Sequence, residues 1–254
     1  GWIRGAGCMQ AYAGFAGIYD LLMDDYDYPA WADYYMALLG ADERPITALC
    51  DCACGTGSMT LEFAERIPRV VGVDISQEML ERAAEKARQR GVQARFVCQD
   101  MARLALPRPV DALTCACDGV NYLTSDRQLA AFFRAAHAAL KPGGALAFDI
   151  SSAYKLRHVL AGQFYGEERD EAAYLWQNRL DGDILTMDIS FYIRQEGGLY
   201  CRVTETHHQR AYEPELLVRA LTAAGFEDIK VYGDRSFAPP RPEEARLHFS
   251  ARRQ

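Results

Sequence analysis

The sequence predicts an α/β fold: a seven-stranded sheet with helices on both faces and an inserted antiparallel β lid. Over the first 150 residues, short apolar segments alternate with helical segments, which is the pattern of parallel crossover units. Residues 176–208 instead alternate apolar and polar side chains across an Asp-Gly and a Gly-Gly turn, which is typical of an antiparallel meander.

The composition limits the possible functions. Half of the 254 residues are hydrophobic, which suffices for one large domain with a subdomain, and the net charge of −7 disfavours a broad basic face for nucleic acid. No apolar run reaches the roughly 18–20 residues of a membrane helix. We expect a leader or vector-derived segment at residues 1–10, a main domain at 11–152 and 211–254, and a lid subdomain at 153–210.

The main strands are predicted from short, β-branched or small apolar runs, and the helices from their capping residues. Ser76 suits a helix N-cap, Gly91 a C-terminal stop, Ser125 with Gln128 a capping box, and Pro214 a first helical turn. The predicted strands are residues 46–51, 69–73, 94–98, 110–115, 145–150, 227–232 and 246–252. The predicted helices are residues 30–39, 58–67, 76–90, 125–140 and 214–225.

The lid is predicted as three strands, residues 176–180, 184–194 and 199–208, placed over the carboxyl ends of the main strands. Residues 153–174 are predicted to be a helical or loop connection. The cysteines at C-x-C spacing in and beside strands are interpreted mainly as small, reduced core residues, and no metal site is predicted. Without a secretion signal, this cysteine usage predicts a cytoplasmic protein.

Residues 48–57, ALCDCACGTG, predict a ligand site at the end of the first strand. Small residues at Ala53, Gly55 and Gly57 let the backbone pass close to a ligand, and the following helix points free N–H groups at it. A strand–helix turn without a ligand remains an alternative. Asp51, Asp74 and Asp100 follow three successive strands, although each one alone is also compatible with a cap or a turn.

The turn does not match a dinucleotide fingerprint, because Thr60 stands where the third glycine of G-x-G-x-x-G would be. An acidic turn would repel a pyrophosphate but suits a cation. S-adenosylmethionine carries an ammonium and a sulfonium group, has no phosphate, and has a ribose whose hydroxyls suit Asp74. An NAD-dependent oxidoreductase is therefore disfavoured.

Five motifs in order resemble those of the class I, Rossmann-like S-adenosylmethionine-dependent methyltransferases: LCDCACGTGSMTLEFA, VVGVDISQEML, FVCQDM, VDALTCACDGVNYL and LKPGGALAFDI. The segment YDLLMDDYDYPAW is similar to the opening of small bacterial members. The resemblance covers residues 12–152 and 212–251. One departure is Ala53, where members commonly have glycine.

The resemblance implies roles for particular residues. Asp51 and the glycine turn would border the methionine part, Asp74 the ribose, Asp100 and Met101 the adenine, and the loop from Cys115 the methyl group. The full predicted cofactor set is Tyr12, Tyr19, Asp51, Ala53, Gly55, Thr56, Gly57, Asp74, Ile75, Met79, Asp100, Met101, Cys115, Cys117 and Asp118.

The acceptor side is predicted from the loop after the fourth strand and from the end of the lid. Asn121, Tyr122, His207 and Arg210 are candidate acceptor contacts, and His207, His208 and Tyr122 are candidate catalytic residues. The two histidines face opposite ways in a strand, and each is also compatible with a solvated strand end. A general base is needed only if the acceptor atom carries a proton.

These observations predict a methyltransferase that acts on a small molecule held under the lid. Methylation of structured RNA is an alternative, and so is a module that binds S-adenosylmethionine without turnover.

Overall fold

The computed structural model describes residues 26–254. The leader, Tyr12, Tyr19 and the YDLLM residues lie outside this range. The helices of the described residues are α1 (Tyr28–Leu38), α2 (Ser58–Ala64), α3 (Gln77–Arg90), α4 (Asp126–Ala139) and α5 (Pro214–Ala223). The strands are β1 (Ala48–Cys52), β2 (Arg69–Asp74), β3 (Arg95–Cys98), β4 (Val110–Cys115), β5 (Leu140–Ser151), β6 (Phe164–Glu168), β7 (Ala172–Asp181), β8 (Ile184–Arg194), β9 (Tyr200–Arg210), β10 (Phe226–Tyr232) and β11 (Arg246–Arg253).

The predicted seven-stranded sheet is confirmed, with the order β10-β11-β5-β4-β1-β2-β3. The strands from β1 to β5 pair in parallel, and β11 runs antiparallel to both of its neighbours. The carboxyl ends of β1 to β5 therefore share one edge of the sheet. Because β11 is reversed, its first residue, Arg246, pairs with Ser151 and lies at this same edge.

Helices cover both faces of the sheet, as predicted. One core lies under α4 and α5 and includes Phe132, Phe148 and Phe249. The other lies under α1 and α2 and includes Trp31 and Tyr35. None of the helices within residues 26–254 is long and apolar enough to cross a membrane.

Local capping signals are confirmed at the residue level. The side chain of Ser76 accepts a hydrogen bond from the Met79 N–H at 3.3 Å, and Gly91 ends α3 in the left-handed conformation. The capping box at α4 also forms, because the Gln128 N–H donates to Ser125 at 3.2 Å and Ser125 donates back to the Gln128 amide oxygen at 3.1 Å.

Residues 141–144, which lie between the predicted helix 125–140 and the predicted strand 145–150, belong to β5 and form a bulge in it. Between two successive pairings, β4 advances from Val110 to Ala112 while β5 advances from Leu140 to Ala145. The extra residues loop out of register, and Gly143 supplies the positive φ of +77° that this requires.

A second sheet has the order β6-β7-β8-β9 and is antiparallel throughout. Strand β6 corrects the prediction of a helical or loop connection there. Its sequence, FYGEE, does not alternate in polarity, and as an exposed edge strand it has little burial to impose a pattern. A π-helical turn at Lys155–Leu160 precedes it.

The interpretation of the cysteines holds for the central strands and is wrong for one edge. Cys50, Cys52 and Cys115 are fully buried, but Cys98 is exposed because β3 is the edge strand of the main sheet. Within the part of the chain that the structure describes, no group of three His, Cys, Asp or Glu residues is placed to hold a metal ion.

Candidate functional site

Asp51 supports the β1–α2 turn from below and does not line it. The residue is 1 % exposed, and its two carboxylate oxygens accept hydrogen bonds from the hydroxyls of Thr60, at 2.6 Å, and Thr114, at 2.8 Å. Burial raises the pKa of Asp51 to about 6. Its predicted place beside the methionine part of the cofactor stays a prediction.

The turn itself is a sharp left-handed structure. Ala53, Gly55 and Gly57 have φ values of +52°, +54° and +76°. A Cβ at Gly57 would lie 2.8 Å from the Ala83 Cβ, so this glycine allows α2 to approach α3. A Cβ at Gly55 would meet no protein atom within 4 Å, so Gly55 keeps an open cradle free of side chains.

The methyl group of Ala53 turns away from this cradle. It is directed at Gly119 on the next loop, where an added Cβ would come within 2.9 Å of it. The departure from the family glycine is therefore accommodated by a second glycine. The neighbouring Thr56 is buried, and its hydroxyl accepts a hydrogen bond from the Lys86 ammonium at 3.2 Å.

Asp74, at the end of β2, closes the turn. Its carboxylate accepts hydrogen bonds from the backbone N–H of Gly55 and of Ser76, both at 2.8 Å. The half-buried side chain stays at the rim of the cradle. Beside it, the apolar side chain of Ile75 is 74 % exposed.

Asp100 and Met101 follow β3. Asp100 caps a one-turn helix, Met101–Arg103, by accepting a hydrogen bond from the Ala102 N–H at 2.9 Å. The Met101 side chain is buried, with its sulfur 3.9 Å from that of the buried Cys115. Because β3 pairs in parallel with β2, both residues lie at the same edge of the sheet as the cradle.

The loop after β4 holds two consecutive residues in the left-handed region. Cys117 has φ +57° and Asp118 has φ +59°. Residues other than glycine rarely adopt this backbone conformation. Their backbone N–H groups both donate to the carboxylate of Asp149, at 2.7 and 3.0 Å. Sequence reasoning missed Asp149, although its position at the end of β5 was an available signal.

A buried ionic cluster surrounds this loop. Arg246 pairs with both Asp118 and Asp149, and the Tyr35 hydroxyl donates to Asp149 at 2.5 Å. Burial by itself would lower the pKa of Arg246, but the two carboxylates raise it overall. Burial would likewise raise the pKa of Asp118, yet Arg246 and Lys155 lower it overall.

Asn121 corrects one prediction for the acceptor side. The residue is fully buried, and its side-chain amide donates to the carbonyls of Ser151 and Arg210, both at 3.0 Å, while its oxygen accepts from the Ser151 N–H at 2.9 Å. These bonds use its polar atoms to join the β4 loop to β5 and β9. Asn121 is therefore a structural connector and not an acceptor contact.

Alternation along β9 decides between the remaining candidates. His207 and Gln209 face the loop after β4, because Gln209 reaches Asp118 at 3.5 Å and the His207 ring contacts Tyr122. His208 is exposed on the opposite face, 3.1 Å from the Thr186 hydroxyl. Arg210 is on that face too, and pairs with Asp126 at 2.7 Å. The structure therefore separates His208 and Arg210 from the site.

His207 and Tyr122 lie together at the mouth of the site. The rings are 5.8 Å apart and edge-on, and the His207 Nε2 lies 2.6 Å from a carboxylate oxygen of Glu205. Crowding by protein raises the pKa of Tyr122, yet 43 % of the residue is exposed. A side chain that is both crowded and exposed lines a cleft. Met79, at the start of α3, packs against the apolar cluster of Phe191, Ile193 and Val203 on the small sheet.

Comparison with known proteins agrees with this geometry. Residues 49–144 match the methyltransferase domain family. The Bacillus subtilis protein YqeM, which is named as a methyltransferase, is 32 % identical over 95 % of this chain and 97 % of its own length. A Streptomyces venezuelae dTDP-3-amino-3,4,6-trideoxy-alpha-D-glucopyranose N,N-dimethyltransferase is 27 % identical over 83 % of this chain and 89 % of its own. A crystal structure of an S-adenosylmethionine-dependent methyltransferase from Clostridium acetobutylicum superposes with a TM-score of 0.87 at 33 % identity, covering 96 % of this chain and 99 % of that one.

A Rossmann-like sheet whose carboxyl edge carries a small-residue cradle defines the class of protein. The chain belongs to the S-adenosylmethionine-dependent methyltransferase family. The residues present fit that cofactor, because the Gly55 cradle is open, Asp74 offers acceptor oxygens at its rim, and Ile75 exposes an apolar surface beside it.

Proposed function

We propose that this enzyme methylates an amino group of a small molecule that binds between Tyr122 and β9, with His207 as the general base. The observation that carries the proposal is the contact of His207 with Glu205 on one side and with Tyr122 on the other. When bound, S-adenosylmethionine supplies a methyl group that is already activated for in-line transfer. The contribution of the protein is alignment of the acceptor and removal of its proton.

The carboxylate of Glu205 orients the His207 ring and stabilises the imidazolium that forms when His207 takes the proton. Tyr122 offers a ring face and edge against which an acceptor can lie. The small sheet would act as the wall or lid of the cleft, with residues 153–210 as the inserted subdomain. We propose a cytoplasmic location, because the cysteines of the described residues are free thiols.

Acidic groups at the cleft favour an amine. Glu205, Asp118 and Asp74 all act electrostatically on Tyr122 and raise its pKa further. Glu78 is near Glu205, and its buried Oε1 accepts no hydrogen bond within residues 26–254. A protonated amine would satisfy such groups. Among the relatives, the Streptomyces venezuelae and Streptomyces fradiae enzymes are named as N,N-dimethyltransferases of dTDP-amino sugars.

Transfer of label from methyl-labelled S-adenosylmethionine tests the proposal. A metabolite extract should yield a labelled small-molecule amine, and His207→Ala should lower kcat/KM for that amine by roughly 100-fold or more. His208→Ala is the matched control, because the same strand presents it to solvent, and it should change kcat/KM less than threefold. Both variants should bind S-adenosylhomocysteine like the wild type.

Two outcomes would contradict the proposal. Label that enters an RNA fraction, with a strong salt dependence, would show a different acceptor class. Equal effects of the two histidine variants would remove His207 from the mechanism.

A further inference from the structure

The local sequence does not favour the backbone conformation of the loop beneath the proposed methyl site. Cys117 and Asp118 both have positive φ, and neither is glycine. A pair of such residues persists only where the surrounding structure holds it. In this protein the holding groups come from three distant parts of the chain.

We propose that Tyr35, Asp149 and Arg246, which we call the clamp, are positioning residues that hold the Cys115–Asp118 backbone in the geometry that binds the cofactor. The inference rests on the cofactor contact of this loop proposed from the family resemblance. The clamp acts through the backbone of Cys117 and Asp118, and its action needs no contact of its own with the cofactor.

Asp149 is the centre of the clamp. It is fully buried at the end of β5 and receives both N–H groups of the strained loop, at 2.7 and 3.0 Å. Two N–H groups that converge on one carboxylate define the orientation of the peptide planes between Ala116 and Asp118. Tyr35, from α1, adds a third donor at 2.5 Å and so holds the carboxylate itself in place.

The positive charge of Arg246 offsets the two negative charges of the cluster. Without it, the carboxylates of Asp118 and Asp149 would repel each other in a buried site. Its guanidinium pairs with both and lies 5.3 Å above the ring of Trp31. The same pairing fixes the Asp118 side chain against Arg246.

The clamp also links the cofactor side to the acceptor side. Gln209 on β9 approaches the second oxygen of Asp118 at 3.5 Å, and Gln209 is next but one to His207. A shift of the loop would therefore change the geometry of both the cofactor side and the acceptor side. We expect loss of the clamp to weaken cofactor binding first, because the loop backbone lies directly under that site.

The chain contains a matched control for this test. Asp111 is also a carboxylate that receives two backbone N–H groups, from Thr47 at 3.0 Å and Ala48 at 2.9 Å, and pairs with a cation, Lys141, at 2.6 Å. It lies at the start of β4, at the opposite edge of the sheet. Loss of Asp111 should therefore lower stability without reaching the loop.

The experiment is calorimetric titration of S-adenosylhomocysteine into full-length wild type, Asp149→Asn, Tyr35→Phe and Asp111→Asn, at a temperature where circular dichroism shows each to be folded. We expect Asp149→Asn to weaken binding at least tenfold and Tyr35→Phe about threefold, with Asp111→Asn within twofold of wild type. Tyr35→Phe keeps the buried ring, so it decides the question if Asp149→Asn does not fold.

Glycine at position 117 provides a rescue that a merely general loss of stability would not show. Cys117→Gly in the Asp149→Asn background adopts φ +57° without strain and should regain at least threefold in affinity. Affinity of the clamp variants within twofold of wild type, an equal loss in Asp111→Asn, or no rescue would overturn the proposal. Absence of binding by the wild type would instead refute the cofactor site itself.

Discussion

At the scale of single residues, chemically identical carboxylates do different work because their surroundings differ. Asp51 is buried between two hydroxyls, Asp74 closes a turn at the rim of the cradle, and Asp149 collects the N–H groups of a strained loop. All three lie at the carboxyl edge of the sheet. Their position in the sequence predicts the edge, whereas burial and partners decide the role.

Asp51 should make the stability of the protein depend on pH. Its folded-state pKa, about 6, lies above its ordinary value of 3.8, so the folded state binds the proton more tightly than the unfolded chain. The resulting stabilisation is fully present below the unfolded pKa and is lost as the pH rises through about 6. The free energy of unfolding of the wild type, relative to Asp51→Asn, should therefore fall by about 2 kcal/mol between pH 4 and 7.

Urea denaturation of both proteins across this pH range measures the difference. A constant difference between wild type and Asp51→Asn would contradict the raised pKa.

Gly55 and Gly91 form a matched pair for testing the cradle. Both have positive φ and open space where a Cβ would stand, at +54° and +67° respectively. Gly55→Ala and Gly91→Ala should each cost about 1–2 kcal/mol of stability from backbone strain. Only Gly55→Ala should weaken S-adenosylhomocysteine binding, because only its methyl group enters the cradle.

Calorimetric titration of S-adenosylhomocysteine into both variants distinguishes an effect of backbone strain, which both share, from a methyl group that blocks the cradle. Equal affinities for the two would show that the Gly55 space is not part of the cofactor site.

At the scale of elements, the alternation of one strand organises the acceptor side. The period of two along β9 sends His207 and Gln209 to the cleft and His208 and Arg210 away from it. The register that places these residues depends on Asn121, which joins the end of β9 to the end of β5. The buried amide of Asn121 is thus one of the links between the small sheet and the main sheet.

Asn121→Ala should lower the free energy of unfolding by about 3 kcal/mol, because it leaves buried backbone groups without partners. Asn178→Ala is the control: Asn178 is also buried, but it accepts only from Trp176, and its amide nitrogen has no partner within residues 26–254. It should cost about 1 kcal/mol. Urea melts measure both, and equal losses would contradict the connector role of Asn121.

At the scale of the whole molecule, the topology assembles the site. The order of the sheet places β1, β2 and β4 next to one another, so their following loops surround one cradle. The antiparallel last strand returns Arg246 to this edge, 97 residues after Asp149 in the sequence. A sheet of seven parallel strands would place that arginine at the opposite edge.

A ligand panel tests the site of the whole protein. S-adenosylmethionine and S-adenosylhomocysteine at about 100 times Kd should stabilise the folded state by about 2.7 kcal/mol and raise Tm by roughly 5–10 °C. NAD and NADP should leave Tm unchanged, because Thr60 replaces the third glycine of their fingerprint. Differential scanning calorimetry measures the shifts, and stabilisation by NAD alone would contradict the cofactor.

The sequence by itself determined the order of strands and helices in the main domain, the caps of α3 and α4 and the cradle turn. These are local features, set by residues within a few positions of one another. Only the tertiary structure decided which histidine meets Tyr122, that Asn121 is buried, and that Tyr35, Asp149 and Arg246 hold one loop. The physical reason is that such contacts join residues some 30 to 220 positions apart, and neither propensity nor periodicity carries information over that range.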